Sequence, residues 1–308
     1  VLVCSNAIVI SADPCMGGLM TQNNSYLIVP DPDASGLTKQ VQGIDQLGKV
    51  ITLNVVEERP LTIWLNGQEI VTAMTIGDYP EYLAEGFLIN QGMLSRDEKL
   101  LSTDYDEELQ TVVVRTDKPT DYEEKLKKKI QTSGCAVGTL FGGVMDALGD
   151  LKLPNSKVQT SWLYSLAKKI NQLPSLYLSA GAIHGTVLCQ KDQPLVYMED
   201  VGRHNAVDKV AGWMRANQVI GSDKVLYTTG RLTSEMVIKC ALMGIPILAS
   251  RSGFTAWAVE LAERVGLTLI GRMRGQRFQC LAGNGRLVYD VDFNDEKEDL
   301  KHKRKSSK

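Results

Sequence analysis

Cys135 stands in Thr132-Ser-Gly-Cys-Ala-Val-Gly-Thr-Leu-Phe-Gly-Gly143, between Gly134 and Gly138 and just ahead of Gly142 and Gly143. Glycine on both sides leaves the backbone free to bend, and the segment shows no apolar face. A reactive thiol must be reachable and able to ionise, because the thiolate is the nucleophile. The same residues equally describe a small side chain in a Gly-rich turn. The other five cysteines differ. Cys4 and Cys15 lie in an irregular N-terminal stretch, whereas Cys189, Cys240 and Cys280 sit in apolar runs, where cysteine acts as a small core residue. No pair has the CxxC spacing of a metal knuckle or redox pair.

A second chemistry is written in arginines. Gly230, Arg231, Thr233 and Ser234 follow an apolar run ending at Thr228. Ser250, Arg251, Ser252 and Gly253 follow another ending at Ala249, and Gly271, Arg272, Arg274, Gly275 and Arg277 a third ending at Ile270. If the three runs are parallel strands, the loops share one sheet edge, where open α/β sheets bind ligands. Two of them lead into helix N-termini, which favour anions. Arginine grips phosphate as a bidentate fork, so five converging arginines predict a site for a ligand with several phosphates. Walker A and strand-following GxGxxG sequences are absent, which removes the P-loop and Rossmann readings.

Asp200-Val-Gly-Arg-His-Asn-Ala-Val-Asp-Lys209 crowds Asp200, Arg203, His204, Asn205 and Asp208 around one strand-to-helix turn. Asp208 follows His204 by four residues, the spacing of one helix face, so it is placed to orient the imidazole. The cluster reads either as a capping network or as a ligand site. His184, in a Gly-rich turn before a strand, reads as a ligand-facing donor or as a structural histidine.

These groups need elements to hold them. Residues 1–45 are rich in Gly, Asn, Ser, Asp and Pro and read as a partly disordered extension, with order beginning near Lys49. Strands are expected at 50–56, 61–65 and 69–74, the last two joined at Asn66-Gly67, a two-residue hairpin signal. Asp78 is the expected cap of a helix with Pro80 in its first turn, running to Asn90 and stopped by Gly92. With a strand at 111–115 this makes a small α+β domain over 46–134. A charged helix or linker at 123–129 leads to a mobile Gly-rich loop over 135–154, and an amphipathic helix is expected at 162–170. Beyond Ser175, strands at 176–178, 186–189 and 195–198 precede a helix at 205–216. Strands at 225–228, 246–249 and 267–270 then alternate with helices at 234–243 and 255–265. That alternation predicts an α/β domain over 155–292 with helices on the faces of a parallel sheet. Residues 293–308 form a charged tail, read as solvated rather than as an interaction patch.

At 308 residues the chain is long enough for two domains. A net charge of −2 argues against nucleic-acid or membrane-surface binding. The apolar runs are too short to span a bilayer or to serve as a signal-peptide core. A cytoplasmic protein is expected.

The motifs Arg59-Pro-Leu-Thr-Ile-Trp-Leu-Asn-Gly67, Leu83-Ala-Glu-Gly-Phe-Leu88, Ala180-Gly-Ala-Ile-His184, Glu199-Asp-Val-Gly-Arg-His204 with its continuation to Lys209, and Gly230-Arg-Leu-Thr-Ser-Glu-Met-Val-Ile-Lys239 resemble those of the FdhD/NarQ family, the formate dehydrogenase accessory proteins. The resemblance spans about Val50 to Tyr289. It implies a cytidine-deaminase-like three-layer α/β sandwich behind a smaller N-terminal domain, as a homodimer. It also implies a sulfur carrier that is loaded as a persulfide by a cysteine desulfurase. The sulfur would pass to molybdenum in the bis-molybdopterin guanine dinucleotide cofactor, destined for formate dehydrogenase. The persulfide cysteine falls on Cys135, and the cofactor-contacting segment on Arg272, Met273, Arg274, Gly275, Gln276 and Arg277. Gly230, Arg231, Ser234, Ser250, Arg251, Ser252, His184 and His204 are the further candidate ligand residues from the loops and turns above. The sequence departs from the family where many members carry CxxC: the second position here is Gly138, so a resolving cysteine is missing there. A cofactor-binding chaperone without sulfur chemistry is the alternative. A zinc deaminase would need His-x-Glu and Pro-Cys-x-x-Cys; His184 is followed by Gly185 and Thr186, so no metal site is expected.

Overall fold

The structure, a computed structural model, describes residues 28–96, 98–117, 148 and 151–291, with the backbone alone at 129–131 and 139–141. Cys135, Gly138, most of the charged segment at 123–129 and the tail at 293–308 lie outside the described residues.

Organised backbone begins earlier than the composition suggests. Ile28 forms a parallel bridge to Val196, and β1 (Thr38–Ile44) pairs antiparallel with β2 (Val50–Val56) in a hairpin. The expected extension over 1–45 therefore contains a strand. It was hidden because neither face of the hairpin is covered: Val41, Ile44, Val50 and Leu53 are all exposed, so no alternation marks it. Such a ribbon is marginal without support. Its base rests on Leu37, Ile76, Leu176 and Ile183, with Val56 packed against them.

β3 (Arg59–Leu65) turns at Asn66, which takes the left-handed φ of +53°, and returns as β4 (Gln68–Thr75), as the Asn-Gly signal predicts. With β5 (Leu100–Asp106) and β6 (Thr111–Thr116) these form a four-stranded sheet ordered β4-β3-β6-β5. α1 (Pro80–Asn90) lies on it. Asp78 is not its cap. Tyr79 is, at φ +48°, with Pro80 opening the first turn, because the Asp78 carboxylate is drawn to Lys209. Nine of the eleven α1 residues are buried, for the helix is covered on two sides, by its own sheet and by the second unit.

A short backbone pair, β7 (Lys129–Gln131) with β8 (Thr139–Phe141), brackets the Cys135 segment. β9 (Val158–Gln159) leads into α2 (Thr160–Ile170). The expected strand at 176–178 is instead a short helix, α3 (Leu176–Ala180). Ser175 takes the extended conformation and its hydroxyl accepts from Tyr177 N at 3.1 Å, a local cap that outweighs three apolar residues in a row.

The large sheet holds β10 (His184–Gln190), β11 (Gln193–Asp200), β12 (Lys224–Thr228), β13 (Ile247–Ser250), β14 (Thr268–Arg274) and β15 (Arg277–Ala282), in the order β11-β10-β12-β13-β14-β15. Only β12, β13 and β14 are parallel; the flanking strands are antiparallel. The expected parallel sheet is thus the centre of a mixed one, and the fold is mixed α/β. α4 (Arg203–Ala216), α5 (Ser234–Leu242) and α6 (Ala256–Val265) cover one face, and α2 covers the other. Local signals place α6 well: Thr255 Oγ1 caps its start and Gly266 ends it at φ +66°. A last strand, β16 (Leu287–Val288), pairs with β9. Among the described residues no helix is long and apolar enough to cross a membrane.

The two units meet where α1 crosses α4. A Cβ on Gly86 would lie 1.7 Å from the Asp208 carbonyl oxygen, and one on Gly212 would lie 2.0 Å from that of Tyr82. Only glycine permits this backbone-to-backbone approach. Gly86→Ala or Gly212→Ala is expected to lower the unfolding free energy by about 3 kcal/mol or more. Gly43→Ala, with open space around it, should change it by less than about 0.5 kcal/mol. Urea titration of the three variants makes the comparison.

Candidate functional site

Parallel β12 and β13 deliver their C-terminal ends to one edge of the large sheet, and β10, antiparallel to β12, starts there with His184. Backbone and hydroxyl bonds tie these ends into a continuous rim. Gly185 N donates to Thr229 Oγ1 at 3.0 Å and Thr229 N to Gly185 O at 2.9 Å. Leu232 N donates to Gly253 O at 2.9 Å, and Thr255 N returns to Leu232 O at 3.0 Å. Arg272 N donates to Ser252 O at 2.8 Å, carrying the rim across to β14. Ser250 is fully buried, and its hydroxyl donates to Gly230 O at 2.6 Å. It is a tie between two loops. Ser252 N in turn donates to Ser250 Oγ at 2.9 Å.

Three arginines gather at this rim around His184. Burial is the first cause that pulls the His184 imidazole below its ordinary range, followed by Arg203, Arg251 and Arg231. Its Nδ1 is 3.4 Å from Thr229 Oγ1. Arg203 comes from the first turn of α4 and passes over Gly230, where a Cβ would sit 2.8 Å from Arg203 Cδ. Glycine is therefore needed at 230 to admit the guanidinium stem. Arg251 lies over the Tyr177 ring, 5.1 Å from its centre, a cation–π contact. Below it is a cavity of about 60 Å³ lined by Tyr177, Tyr197, Tyr227, Glu199 and Arg251 among others. Glu199 accepts from Ser175 Oγ, from Leu176 N at 2.8 Å and from the Tyr197 hydroxyl at 3.1 Å, and burial raises its carboxyl above the usual range. Sequence reasoning placed Arg203 in a polar turn without assigning it to the ligand edge. The Glu199–tyrosine cavity was missed, because its residues come from five separate elements and the loops between them.

The remaining arginines take a different position. β14 does not stop at Ile270; it continues to Arg274, turns through Gly275 at φ +55° and Gln276, and returns as β15. The pairing is irregular between Gly271 and Arg274, with Arg272 at φ +52°. Arg272, Gln276 and Arg277 line an open cavity of about 660 Å³ with Tyr164, Phe278 and Tyr289. Arg274 is exposed and lines neither cavity, while Met273 is buried in the α2-side core. The five arginines thus divide into a rim pair, a hairpin pair and Arg274.

His204 and Ser234 are buried behind the rim. His204 Nε2 lies 3.2 Å from Glu235 Oε2. Burial, then Lys239, pull its pKa down to about 2, so the ring is neutral. Asp208, read from spacing as its partner, instead binds Lys239 Nζ at 2.7 Å and Asn90 Nδ2 at 2.7 Å. Nearby, Lys209 is fully buried between Asp78 and Asp200, 2.6 Å from the latter. Burial disfavours its charge, but Asp200 and Asp78 outweigh that and hold the ammonium above its ordinary value. Asp200 also accepts from Thr75 Oγ1 at 2.5 Å and Asn205 Nδ2 at 3.0 Å. The polar turn is therefore a buried network joining the two units, with Arg203 alone of its charged members reaching the rim.

Comparison with known proteins fits this geometry. The FdhD/NarQ family model matches residues 56–288. The chain belongs to the FdhD/NarQ family. Relatives named "Sulfur carrier protein FdhD" include one from Bacillus subtilis, 31% identical over 226 residues, covering 73% of this chain and 86% of that protein. Another, from Nocardia farcinica, is 32% identical over 241 residues, covering 75% and 86%. A solved structure of a candidate formate dehydrogenase accessory protein from Desulfotalea psychrophila superposes with a TM-score of 0.66 at 28% identity, covering 82% of this chain and 98% of that one. The segments Glu199–Lys209 and Gly230–Lys239, both within the matched range, hold the buried network and part of the rim.

Two consequences can be measured. Lys209→Met leaves buried Asp200, and half-buried Asp78 beside it, without their cation and should destabilise the protein by about 3–5 kcal/mol, read by chemical denaturation. His204 has a folded pKa far below its unfolded one. Below about pH 6 the unfolded chain therefore binds a proton that the folded chain does not, and stability falls with pH by about 1.4 kcal/mol per unit from this residue. His204→Gln should lose that part of the slope between pH 6 and 5.

Proposed function

We propose that this chain is a sulfur carrier that serves formate dehydrogenase. It takes persulfide sulfur from a cysteine desulfurase on Cys135 and passes it to molybdenum in the bis-molybdopterin guanine dinucleotide cofactor. Membership in the FdhD/NarQ family, with relatives named as sulfur carriers, is the observation that carries this reading. In the loading step the Cys135 thiolate attacks the outer sulfur of the desulfurase persulfide. The S–S bond there breaks, the desulfurase thiolate leaves with the electron pair, and a new persulfide stands on Cys135. One sulfur anchor suffices, so Gly138 in place of a second cysteine does not block it. Among the described residues, Cys189 and Cys240 are fully buried, and burial pushes both thiols up.

The cofactor is the substrate here, a ligand with two pyrophosphates and two guanines. Arg203, Arg231 and Arg251 suit one set of its charges. Arg272 and Arg277, beside the rings of Tyr164, Phe278 and Tyr289, suit another. The reading takes the large unit as a cytidine-deaminase-like sandwich and the working protein as a cytoplasmic homodimer. Intact mass after incubation with a cysteine desulfurase and free cysteine is the direct test. Native protein should gain one sulfur, and Cys135→Ala should not. No gain in the native protein would leave a cofactor-binding chaperone as the function.

A further inference from the structure

The open cavity at the β14–β15 hairpin combines charge with aromatic surface. Arg272 and Arg277 supply two guanidiniums, and Tyr164, Phe278 and Tyr289 supply rings. Its described lining residues include no carboxylate. Among the described residues neither arginine has an ion pair or a side-chain hydrogen bond, and both are exposed. At about 660 Å³ the space falls within the roughly 300–1,000 Å³ of ligand sites. Such a lining fits an occupant that is anionic and aromatic at once.

The chain itself passes beside this cavity. Tyr289 lines it, and the next residue, Asp290, is fastened to the start of α2. The Asp290 carboxylate accepts from Thr160 Oγ1 at 2.9 Å, from Ser161 N at 2.9 Å and from Ser161 Oγ at 2.5 Å. Whatever follows Val291 therefore starts from a fixed point. At no more than about 3.6 Å per residue, Asp292 lies within about 11 Å of Tyr289. The sequence from there reads Asp292-Phe-Asn-Asp-Glu-Lys-Glu-Asp299, five carboxylates and one lysine with an aromatic ring near the start. Composition alone makes it part of a solvated tail. Its tether beside two guanidiniums gives it a partner.

We propose that residues 292–299 dock in cis in this cavity, with Phe293 among the rings and the carboxylates on Arg272 and Arg277. Exposed ion pairs are individually weak. A short tether, however, raises the effective concentration of the segment to the millimolar range, so weak contacts suffice to fill the site. The run Lys301-His-Lys-Arg-Lys305 is repelled by the same arginines and stays outside. Under the proposed function, on which this consequence alone rests, the docked segment covers the platform that takes part of the anionic ligand. Segment and ligand then compete, and the apparent affinity for the ligand is lowered by the fraction of molecules whose cavity is filled.

The test uses the full chain with the photo-reactive residue benzoylphenylalanine in place of Phe293, at low ionic strength, where exposed charges are least screened. On irradiation, cross-links should reach the peptides that hold Tyr164 or Phe278. Proximity alone produces some of these, so the dependence on charge decides. The yield at the cavity should fall by at least about fivefold in the double variant Arg272→Gln, Arg277→Gln. It should fall equally when Asp292, Asp295, Glu296, Glu298 and Asp299 are all changed to their amides. Neutralising the same number of exposed acids on the small unit, Glu58, Glu69, Glu107, Glu108 and Asp117, should leave it unchanged. Inorganic pyrophosphate should displace the segment and lower the yield, whereas chloride at matched ionic strength should not. Cross-links absent from the cavity, or a yield indifferent to the arginines and to the tail acids, would overturn the docking. A yield indifferent to pyrophosphate would overturn the competition. Sulfur loading of Cys135 is read by intact mass on the same proteins, so a failure of the carrier reading is seen separately.

Discussion

The crossing of α1 over α4 is the constraint on which the rest of this structure depends. Two glycines bring the helix backbones together, and that approach seals Asp200, Asp208, Lys209 and Lys239 away from water, with Asp78 half-buried at the edge of the group. Charges so placed are tolerable only when paired and hydrogen-bonded on all sides. The partners therefore come from several separate elements. Thr75 and Asp78 come from the small unit, Asp200 from the end of β11, Lys209 and Asp208 from α4, Asn90 from α1 and Lys239 from α5. Shifting any of these elements would orphan a buried charge.

The rim inherits its geometry from that network. Arg203 leaves α4 in its first turn, next to His204, so the helix that carries Lys209 into the network also lays the Arg203 stem over Gly230. The strand ends are held by backbone bonds from Gly185 through Leu232 and Gly253 to Ser252 and Arg272. Anchored loops of this kind spend little entropy when a charged ligand arrives, which is how a preformed site improves binding. The second arginine group, on the β14–β15 hairpin, faces a wider and more open space lined with rings. Under the proposed function, the rim cluster and the open platform would take different parts of one large anionic ligand.

Much of this was legible beforehand where short-range chemistry decides. Asn66 turned where an Asn-Gly pair should, Thr255 and Gly266 bounded α6, and the strand–helix alternation from Val225 to Ile270 became the parallel centre of the sheet. The readings that missed did so because a distant group competed with a local rule. Asp78 had the composition of a cap, but Lys209 offered a stronger partner. Leu176 to Leu178 had the composition of a strand, but Ser175 started a helix that Glu199 helps to hold. Asp208 had the spacing of a histidine partner, but Lys239 claimed it.

The sequence by itself determined the family, through long motifs that match along most of the chain, and the local elements, through caps, turns and periodicity. It also supplied the candidate thiol, Cys135, through its glycine-rich surroundings taken together with the family resemblance. Tertiary structure decided which charged residues are buried and which are presented. Lys209 and Lys239 look like surface residues in any helical reading, whereas Arg203, from the same turn as His204, is the one aimed at the rim. The reason is physical: helix and turn preferences act over a few residues, but the fate of a charge depends on partners more than a hundred positions away, and only the folded chain brings those together.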